Sequence, residues 1–485
     1  MASPEELMHA AGLLLLRVVQ SGDADALHRA IELLTVARQG AAADPSLQAK
    51  LLSNLGSAVL LRFRRTGVAA DLDEAVGHLR DAARLAPAGL PERALLLGNL
   101  AAALSERFDR RGTADDLHDA VAAGREAVRM ARAAGQDPST LLSNLGLVLQ
   151  SRYELAGSTA DIDEAVTVGR EAVAVAPADH PELPRMLNTL CKSLRLRFWL
   201  TGDGADMDAA VAAGRRAVEL APGAHPDRPK LLNNLGLALR GRFERIPDRP
   251  GDLDEAIQAS RQALGMSRPG HPDHANALSS LGTALRIRCE GSDDPADLDE
   301  AILLTRQAAR GVTAGHPYTA VYLWQLGSAL ILRFEVTGDM RDLDEALDAW
   351  TRAARMAQAP ASTRLRTARH AATAAARAHG PAAAAGLYEA SIGVLDLLTW
   401  RGISRDDQLR LVRDEAGSLA TEAASAAVGN GDLAQTVRFL EQGRAVLWSQ
   451  LLDTRTDLTR LASAAPELAR RLRECRTGLD GAPDG

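Results

Sequence analysis

Residues 54–75 read NLGSAVLLRFRRTGVAADLDEA, and the same order of residue types returns along most of the chain. The pair Arg62-Phe63 in this stretch recurs at steps of 45, 45, 45, 45, 46 and 45 residues. Its later copies are Arg107-Phe108, Arg152-Tyr153, Arg197-Phe198, Arg242-Phe243, Arg288-Cys289 and Arg333-Phe334. Five of the six phenylalanines lie in this one column, which assigns the aromatic residues to a single structural role. A fixed period of this length indicates stacked structural repeats.

A second motif, Asp-Leu-Asp-Glu-Ala from Asp71, keeps the same period. Its copies begin at Asp116, Asp161, Asp206, Asp252, Asp297 and Asp342. We interpret each first Asp as the N-cap of a helix, and the Glu three residues later, as at Glu74, as the other half of a capping box. The second helix of every unit is therefore expected to begin at this Asp. The one extra residue of the array falls between Phe243 and Asp252, where a loop is expected.

Small residues form a third column in an apolar helix upstream of the Arg-aromatic pair. They are Gly56, Ala101, Gly146, Cys191, Gly236, Gly282 and Gly327. Glycine inside a helix costs roughly 1 kcal/mol relative to alanine, so its repeated use predicts close contact with a neighbouring helix. The following helix carries alanines seven residues apart and ends at a proline, as at Ala75, Ala82 and Pro87. Each unit is therefore expected to be a helical hairpin.

This pattern resembles the tetratricopeptide repeat, which has Leu-Gly in its first helix, spaced alanines in its second and a closing proline. Leu55-Gly56, Ala75, Ala82 and Pro87 carry the resemblance, although Gly56 and Ala75 lie seven residues further apart than in the 34-residue family repeat. The resemblance implies an all-α, right-handed superhelical solenoid of helix-turn-helix repeats with a period of 45. We expect about eight hairpins in residues 1–358 and a C-terminal helical region in residues 359–485.

The composition limits the classes of partner. Lys and Arg number 56 against 63 Asp and Glu, which gives a net charge of −7, and Lys50, Lys192 and Lys230 are the only lysines. No region is basic enough to follow a phosphate backbone, so we expect no nucleic acid partner. The chain shows no basic leader and no apolar run of membrane-spanning length, which predicts a cytoplasmic protein without a membrane partner. Two of the three cysteines, Cys191 and Cys289, occupy repeat positions, so disulfides are not expected.

The segment Phe439–Leu452, FLEQGRAVLWSQLL, resembles the segment that joins repeat arrays to the caspase-like peptidase domain of CHAT proteins. That family's peptidase activates a Cys thiolate with a His. Only 37 residues follow Trp448, fewer than the roughly 50 of a minimal domain. We therefore expect that this chain stops before the peptidase domain. Cys475 has no His after it and is interpreted as an ordinary helix residue, so no catalytic residue is predicted.

An asparagine column marks the first helices, two residues before the small-residue position. It contains Asn54, Asn99, Asn144 and Asn234, and Thr189, Ser280 and Gln325 complete it. The tetratricopeptide resemblance implies that an asparagine here faces the concave groove and holds the backbone of an extended peptide through its amide donor and acceptor. The alternative is a hydrogen bond to a neighbouring helix or to water.

Two further columns have structural explanations. The arginines could form a positive stripe for an acidic peptide, but pairing with nearby Asp and Glu is the favoured interpretation. His180-Pro181, His225-Pro226, His271-Pro272 and His316-Pro317 precede successive first helices and are interpreted as turns. Helices about 8–10 Å apart cannot share a metal bound at about 2 Å through one such His each. No phosphate loop or hydrolase motif occurs, so neither a cofactor nor a metal is predicted.

These observations predict a non-catalytic scaffold that binds a protein or peptide on its concave face. Its expected context is the sensor or regulatory arm of a CHAT-type repeat protein. One alternative is the non-catalytic portion of a CHAT-family cysteine protease whose catalytic domain lies beyond residue 485. A second alternative is a self-associating structural scaffold.

Overall fold

The computed structural model of the protein describes residues 2–21, 23–41, 43–66, 68–87, 89–90, 92–111, 114–223, 225–246, 249–292, 295–312, 318–357, 359–395, 418–454 and 466–472. The protein is 85% helical, and those residues contain no strand. The predicted all-α class of helix-turn-helix repeats is confirmed. His316 and Cys475 lie outside the described residues.

The chain divides into two compact units, the first made of Met1–Glu154 and Thr159–Arg268, and the second of Leu155–Ser158 and Pro269–Gly485. The helices up to Arg268 are α1 (Pro4–Ser21), α2 (Ala24–Gly40), α3 (Pro45–Thr66), α4 (Ala69–Leu85), α5 (Arg93–Arg111), α6 (Ala114–Ala133), α7 (Ser139–Ala156), α8 (Thr159–Val175), α9 (Leu183–Thr201), α10 (Gly204–Leu220), α11 (Arg228–Arg245) and α12 (Gly251–Met266). Those after Pro269 are α13 (Pro272–Ser292), α14 (Pro295–Arg310), α15 (Thr319–Thr337), α16 (Met340–Arg355), α17 (Ala361–His379), α18 (Pro381–Ile392), α19 (Leu419–Gly429) and α20 (Leu433–Thr454).

Successive helices pair as hairpins in step with the sequence repeats, as α1 does with α2, α9 with α10 and α15 with α16. Arg152 of α7 likewise bonds to Asp161 of α8. The second helix of a hairpin also packs on the first helix of the next, as α4 does on α5 and α10 on α11. Each second helix buries one stripe, which in α4 includes Leu72, Ala75 and Leu79. This stripe follows the spacing of residues on one face of an α-helix, so the core lies between neighbouring hairpins.

The small-residue column lies in the contact between the two helices of a hairpin. A methyl group on Gly56 would stand 2.7 Å from Leu79 Cγ, and one on Gly282 would stand 2.8 Å from Thr305 Cγ2. Larger residues there would push the second helix away, which confirms the predicted close contact. At Gly146 the nearest atoms would be 3.5 Å away, which is an ordinary contact distance. The need for a small residue at this position is therefore weaker in that repeat.

The predicted N-caps are wrong. Helix α4 begins at Ala69, two residues before Asp71, and α10 begins at Gly204, two residues before Asp206. The N-cap of α10 is Asp203, whose side chain accepts a hydrogen bond from the Ala205 backbone N at 3.0 Å. The repeated Asp therefore lies within the first turn, where its carboxylate is occupied by the arginine described below.

Helix stacking continues past the end of the sequence period. Arg364 Nε on α17 donates to the Ala354 carbonyl of α16 at 3.2 Å. The rings of Trp350 and His370 meet with their centroids 5.7 Å apart. Helices α17 to α20 form a small core of their own around residues such as Tyr388 and Phe439. The domain boundary at 358/359 remains a prediction.

Candidate ligand-binding face of the first helices

The asparagine column lies along one side of the first helices, which we call the first-helix face and define by Asn54, Asn99, Asn144 and Asn234 on α3, α5, α7 and α11. Asn54 is exposed, and the other three are half-buried. Among the described residues, Asn54 makes no hydrogen bond, so its whole amide remains free to meet a ligand.

The other three amides bond to the first helix of a neighbouring hairpin. Asn99 Nδ2 donates to Ser53 Oγ at 3.3 Å, and Asn234 Nδ2 donates to Asn188 Oδ1 at 2.8 Å. Asn144 Oδ1 accepts from Arg185 Nη1 at 3.2 Å. These bonds match the structural alternative for the column, but they engage only one end of each amide. The peptide-binding role of the four residues stays a prediction.

Further polar contacts join neighbouring first helices. Gln150 Nε2 donates to the Thr189 carbonyl at 2.7 Å and to Ser193 Oγ at 2.6 Å. Two of the three lysines also form ion pairs across this face, Lys50 with Glu92 at 2.7 Å and Lys192 with Glu154 at 3.0 Å. Neighbouring first helices are therefore joined by hydrogen bonds in their buried contact and by ion pairs nearer the surface.

The arginine column pairs with the aspartate column, as the favoured interpretation predicted. In six copies Nε and Nη2 of the arginine donate to both oxygens of one carboxylate: Arg107 to Asp116, Arg152 to Asp161, Arg197 to Asp206, Arg242 to Asp252, Arg288 to Asp297 and Arg333 to Asp342. Arg62 donates to Asp71 at 2.8 Å and to Glu74 at 2.9 Å. The flat guanidinium fits a carboxylate in this two-bond geometry.

The carboxylates of these pairs are sheltered from water. All seven aspartates are buried, and the pair of Arg242 with Asp252 leaves only 7% and 8% of the two side chains exposed. Hydrogen bonding to the carboxylate raises the pKa of the Arg107, Arg197 and Arg242 guanidiniums above the ordinary value. These arginines are therefore committed to their aspartates, and the column cannot serve as a positive stripe for a ligand.

The rest of the Asp-Leu-Asp-Glu motif links one hairpin to the next. The second Asp meets the arginine of the following repeat, as in Asp208 with Arg242 at 2.9 Å and Asp299 with Arg333 at 2.7 Å. The acidic residue at the fourth position meets an arginine of the preceding second helix: Asp119 with Arg80, Glu164 with Arg125, Glu255 with Arg215 and Glu345 with Arg306. Sequence reasoning missed this arginine column, although Arg80, Arg125, Arg170 and Arg215 repeat with the same period of 45.

The histidines of this column that the structure describes, His180, His225 and His271, are turn residues, as predicted. Nδ1 of His180 accepts from the Glu182 backbone N at 3.1 Å, and Nδ1 of His225 accepts from the Asp227 backbone N at 3.1 Å. Within the described ranges, no group of three or more His, Cys, Asp or Glu could hold a metal ion. None of the helices that the structure describes is both long and apolar enough to cross a membrane.

Hairpins with this packing define an all-α helical-repeat protein. The sequence model of the tetratricopeptide repeat matches residues 139–182, which contain α7, α8 and the turn after them. No curated protein sequence matches the chain.

Three solved structures are similar to this chain at low sequence identity. The human IFIT1 dimer with m7Gppp-AAAA is 13% identical, with 90% of each chain covered and a TM-score of 0.48. The apo form of the quorum sensor NprR from B. thuringiensis is 12% identical, with 91% of this chain and 99% of NprR covered and a TM-score of 0.46. A Podosopora anserina protein of nearly identical TPR-like repeats is 18% identical, with 45% of this chain and 98% of that chain covered and a TM-score of 0.32.

Proposed function

We propose that the protein is a non-catalytic scaffold that binds a protein or peptide segment along the first-helix face. The observation that carries the proposal is the asparagine column, in which Asn54 is exposed and unbonded among the described residues and three further amides each keep one end unengaged. An amide offers a donor and an acceptor together, which is what the backbone of an extended peptide needs. A ligand on this face would contact several hairpins at once.

The test places a photo-reactive amino acid at position 54 in one variant and at Gln39, which is exposed on α2, in a control variant. Cross-linking in extract of the source cells should yield a partner peptide at position 54 and none at position 39. Equal labelling at both positions, or labelling at position 39 alone, would contradict binding on the first-helix face.

Substitution separates binding from stability. Asn54→Ala should weaken partner capture and leave the melting temperature unchanged, because Asn54 has no described hydrogen bond to lose. Asn234→Ala should also lower the free energy of unfolding, by about 0.5–1.5 kcal/mol, because it removes the bond to Asn188. Unchanged capture by Asn54→Ala counts against the role of this column.

We further propose that the scaffold is the regulatory arm of a CHAT-type protein. The segment that resembles CHAT-associated sequences lies in α20, and its Phe439 is buried in the C-terminal core. A partner on the repeats could then act on an attached peptidase domain. If the protein is instead the non-catalytic portion of a cysteine protease, this chain shows no proteolysis while the extended gene product cleaves. A stop codon directly after Gly485 in the source gene would contradict both versions.

A further inference from the structure

We propose that the seam between α9 and α11 binds an acidic peptide segment that has an apolar residue at one end. This inference rests on the proposed function, because it assigns a ligand chemistry to one part of the first-helix face. It comes from the distribution of unpaired positive charge, in a chain whose net charge is −7.

The seam is formed by one stripe of each helix. Asn188, Arg195 and Trp199 lie on the same side of α9, since they are separated by two turns and then by one. One side of α11 likewise carries Lys230, Asn234, Gly241 and Arg245, which are separated by one, two and one turns. The two stripes meet: Asn234 donates to Asn188 at 2.8 Å, and the Arg245 guanidinium lies 5.0 Å from the centre of the Trp199 ring.

Positive charge along this seam has no counter-ion among the described residues. Most cations of the first helices in the first unit bond to a carboxylate or a backbone carbonyl, as Lys50 does to Glu92 and Arg93 to Ala86. In the part of that unit which the structure describes, the first-helix cations without such a partner are Arg195, Lys230 and Arg245. All three lie on the two helices of the seam.

Trp199 supplies an apolar surface beside these charges. Its side chain is 41% exposed, and it reaches over α11 at Gly241, where a methyl group would stand 3.6 Å from its Cζ2 atom. The same methyl group would stand 2.9 Å from Met207 Cε, so the glycine lets Trp199 and Met207 pack against α11 here. An aliphatic side chain of a ligand can pack against the exposed part of the indole ring.

The dimensions fit a short peptide. Lys230 and Gly241 are three helical turns apart, which is about 16 Å along α11. An extended peptide covers that length with about five residues. Such a peptide would place one acidic group at Lys230, another near Arg195 and its apolar end at Trp199 and Arg245, while Asn234 Oδ1 accepts a backbone N–H.

A peptide fits this surface better than a nucleic acid. The exposed Glu244 directly precedes Arg245 on α11. A continuous phosphate backbone would meet this carboxylate, whereas a peptide can set its acidic side chains at the cations alone. Glu154 and Glu182 pair with Lys192 and Arg185, so the charges of these four residues are balanced and the net attraction is confined to the seam.

The test uses the full chain and a fluorescein-labelled hexapeptide with the sequence Leu-Glu-Ala-Glu-Ala-Glu. Fluorescence anisotropy should show saturable binding that weakens with added salt, and a peptide with Gln in place of each Glu should bind at least about tenfold more weakly, since removing its charges removes about 1.4 kcal/mol or more. The variant Arg195→Glu/Lys230→Glu/Arg245→Glu should lose the preference for the acidic peptide. Arg29→Glu/Arg268→Glu/Arg377→Glu carries the same charge change on exposed arginines elsewhere and should keep it.

A second variant tests the apolar end without changing charge. Trp199→Ala should reduce the affinity for the Leu-ended peptide to that for a peptide ending in Ala, and circular dichroism should show that both seam variants remain helical. Equal binding of the Gln peptide, equal loss in the control variant, or tighter binding of an adenosine decanucleotide than of the acidic peptide would overturn the assignment. If the seam fails while partner cross-linking at position 54 persists, the scaffold proposal stands and only the ligand chemistry is wrong.

Discussion

At the residue scale, one buried carboxylate joins the two helices in each of the seven hairpins from α3/α4 to α15/α16. Asp206 illustrates the arrangement: both of its oxygens accept hydrogen bonds from Arg197 at 2.6 Å, and only 2% of the residue is exposed. A buried charge is tolerated only when it is paired and hydrogen-bonded. Replacing either the arginine or the aspartate should therefore lower the free energy of unfolding by more than the intact pair contributes to it.

The first prediction compares two aspartates three residues apart. Asp206→Ala should lower the free energy of unfolding by about 3 kcal/mol, because it leaves the Arg197 guanidinium without its buried partner. Asp203→Ala removes only the N-cap of α10 and should cost about 1 kcal/mol. Urea titrations of both variants measure the difference. The reverse order would support Asp206 as the cap and contradict the ion-pair role.

The prediction that Asp206 is an N-cap failed for a physical reason. Asp-x-x-Glu is a capping signature, and its spacing alone does not reveal whether the carboxylate faces a backbone N–H or a guanidinium. The missing information is the place of Arg197 across the hairpin, which depends on tertiary packing. A local signal did exist, because Asp203 and Asp339 precede the repeated Asp by three residues and serve as the caps.

At the scale of helices, the fourth position of the acidic motif connects successive second helices. Arg125 with Glu164 and Arg215 with Glu255 are examples. The fourth copy breaks the pattern, because Ala209 stands where the others have an acidic residue. Arg170 of the preceding second helix then has only a 3.6 Å contact with Asp206. One natural position thus lacks a link that its neighbours possess.

Restoring this link is the second prediction. Ala209→Glu should raise the free energy of unfolding by about 0.5 kcal/mol, the usual contribution of a partly exposed ion pair. The gain should vanish at high salt and in the background of Arg170→Ala, where the introduced carboxylate would have no partner. Thermal melts of the four proteins in this cycle measure it. A gain that survives in the Arg170→Ala background would show that helix propensity, not pairing, is its cause.

The third prediction concerns pH and the contact between α16 and α17. Burial lowers the pKa of His370 below its ordinary value of 6.5, and the positive charges of Arg366 and Arg369 lower it further against a smaller opposing effect of Glu422. The unfolded chain therefore binds the proton at a higher pH than the folded protein does. Stability is complete above about pH 6.5 and falls as the pH drops through and below that value.

Melting temperatures measured between pH 8 and pH 5 test this. His370→Gln should reduce the fall of the melting temperature with decreasing pH, because Gln cannot take up a proton. His28→Gln on the exposed side of α2 should leave the decline as it is in the unmodified protein. An unchanged slope in His370→Gln would assign the acid sensitivity to other groups.

At the scale of the whole molecule, the sequence predicts the features that recur in every repeat. The period, the hairpin and the close contact at Gly56 are all determined within one unit or between adjacent units, so their residues recur and can be read from the sequence. In the seam, Trp199 has no aromatic counterpart one repeat away, whereas Arg195 and Lys230 have the basic counterparts Arg240 and Arg185 and differ from them only in pairing. No periodicity can indicate such a site, and only the charges left unpaired in the folded structure reveal it.

The contacts between adjacent hairpins also predict how far the effect of a destabilising substitution extends along the chain. Leu27 and Leu117 occupy the same repeat position and are both buried, but Leu27 lies in the first hairpin and Leu117 in an inner one. Each Leu→Ala change should cost about 2–5 kcal/mol locally. Because each hairpin contacts only its neighbours, Leu27→Ala should speed amide hydrogen exchange mainly in α1 to α3, whereas Leu117→Ala should speed it on both sides, from α4 through α7. Uniform acceleration across α1 to α12 in either variant would show that the first unit unfolds as one cooperative body and would contradict additive repeat stability.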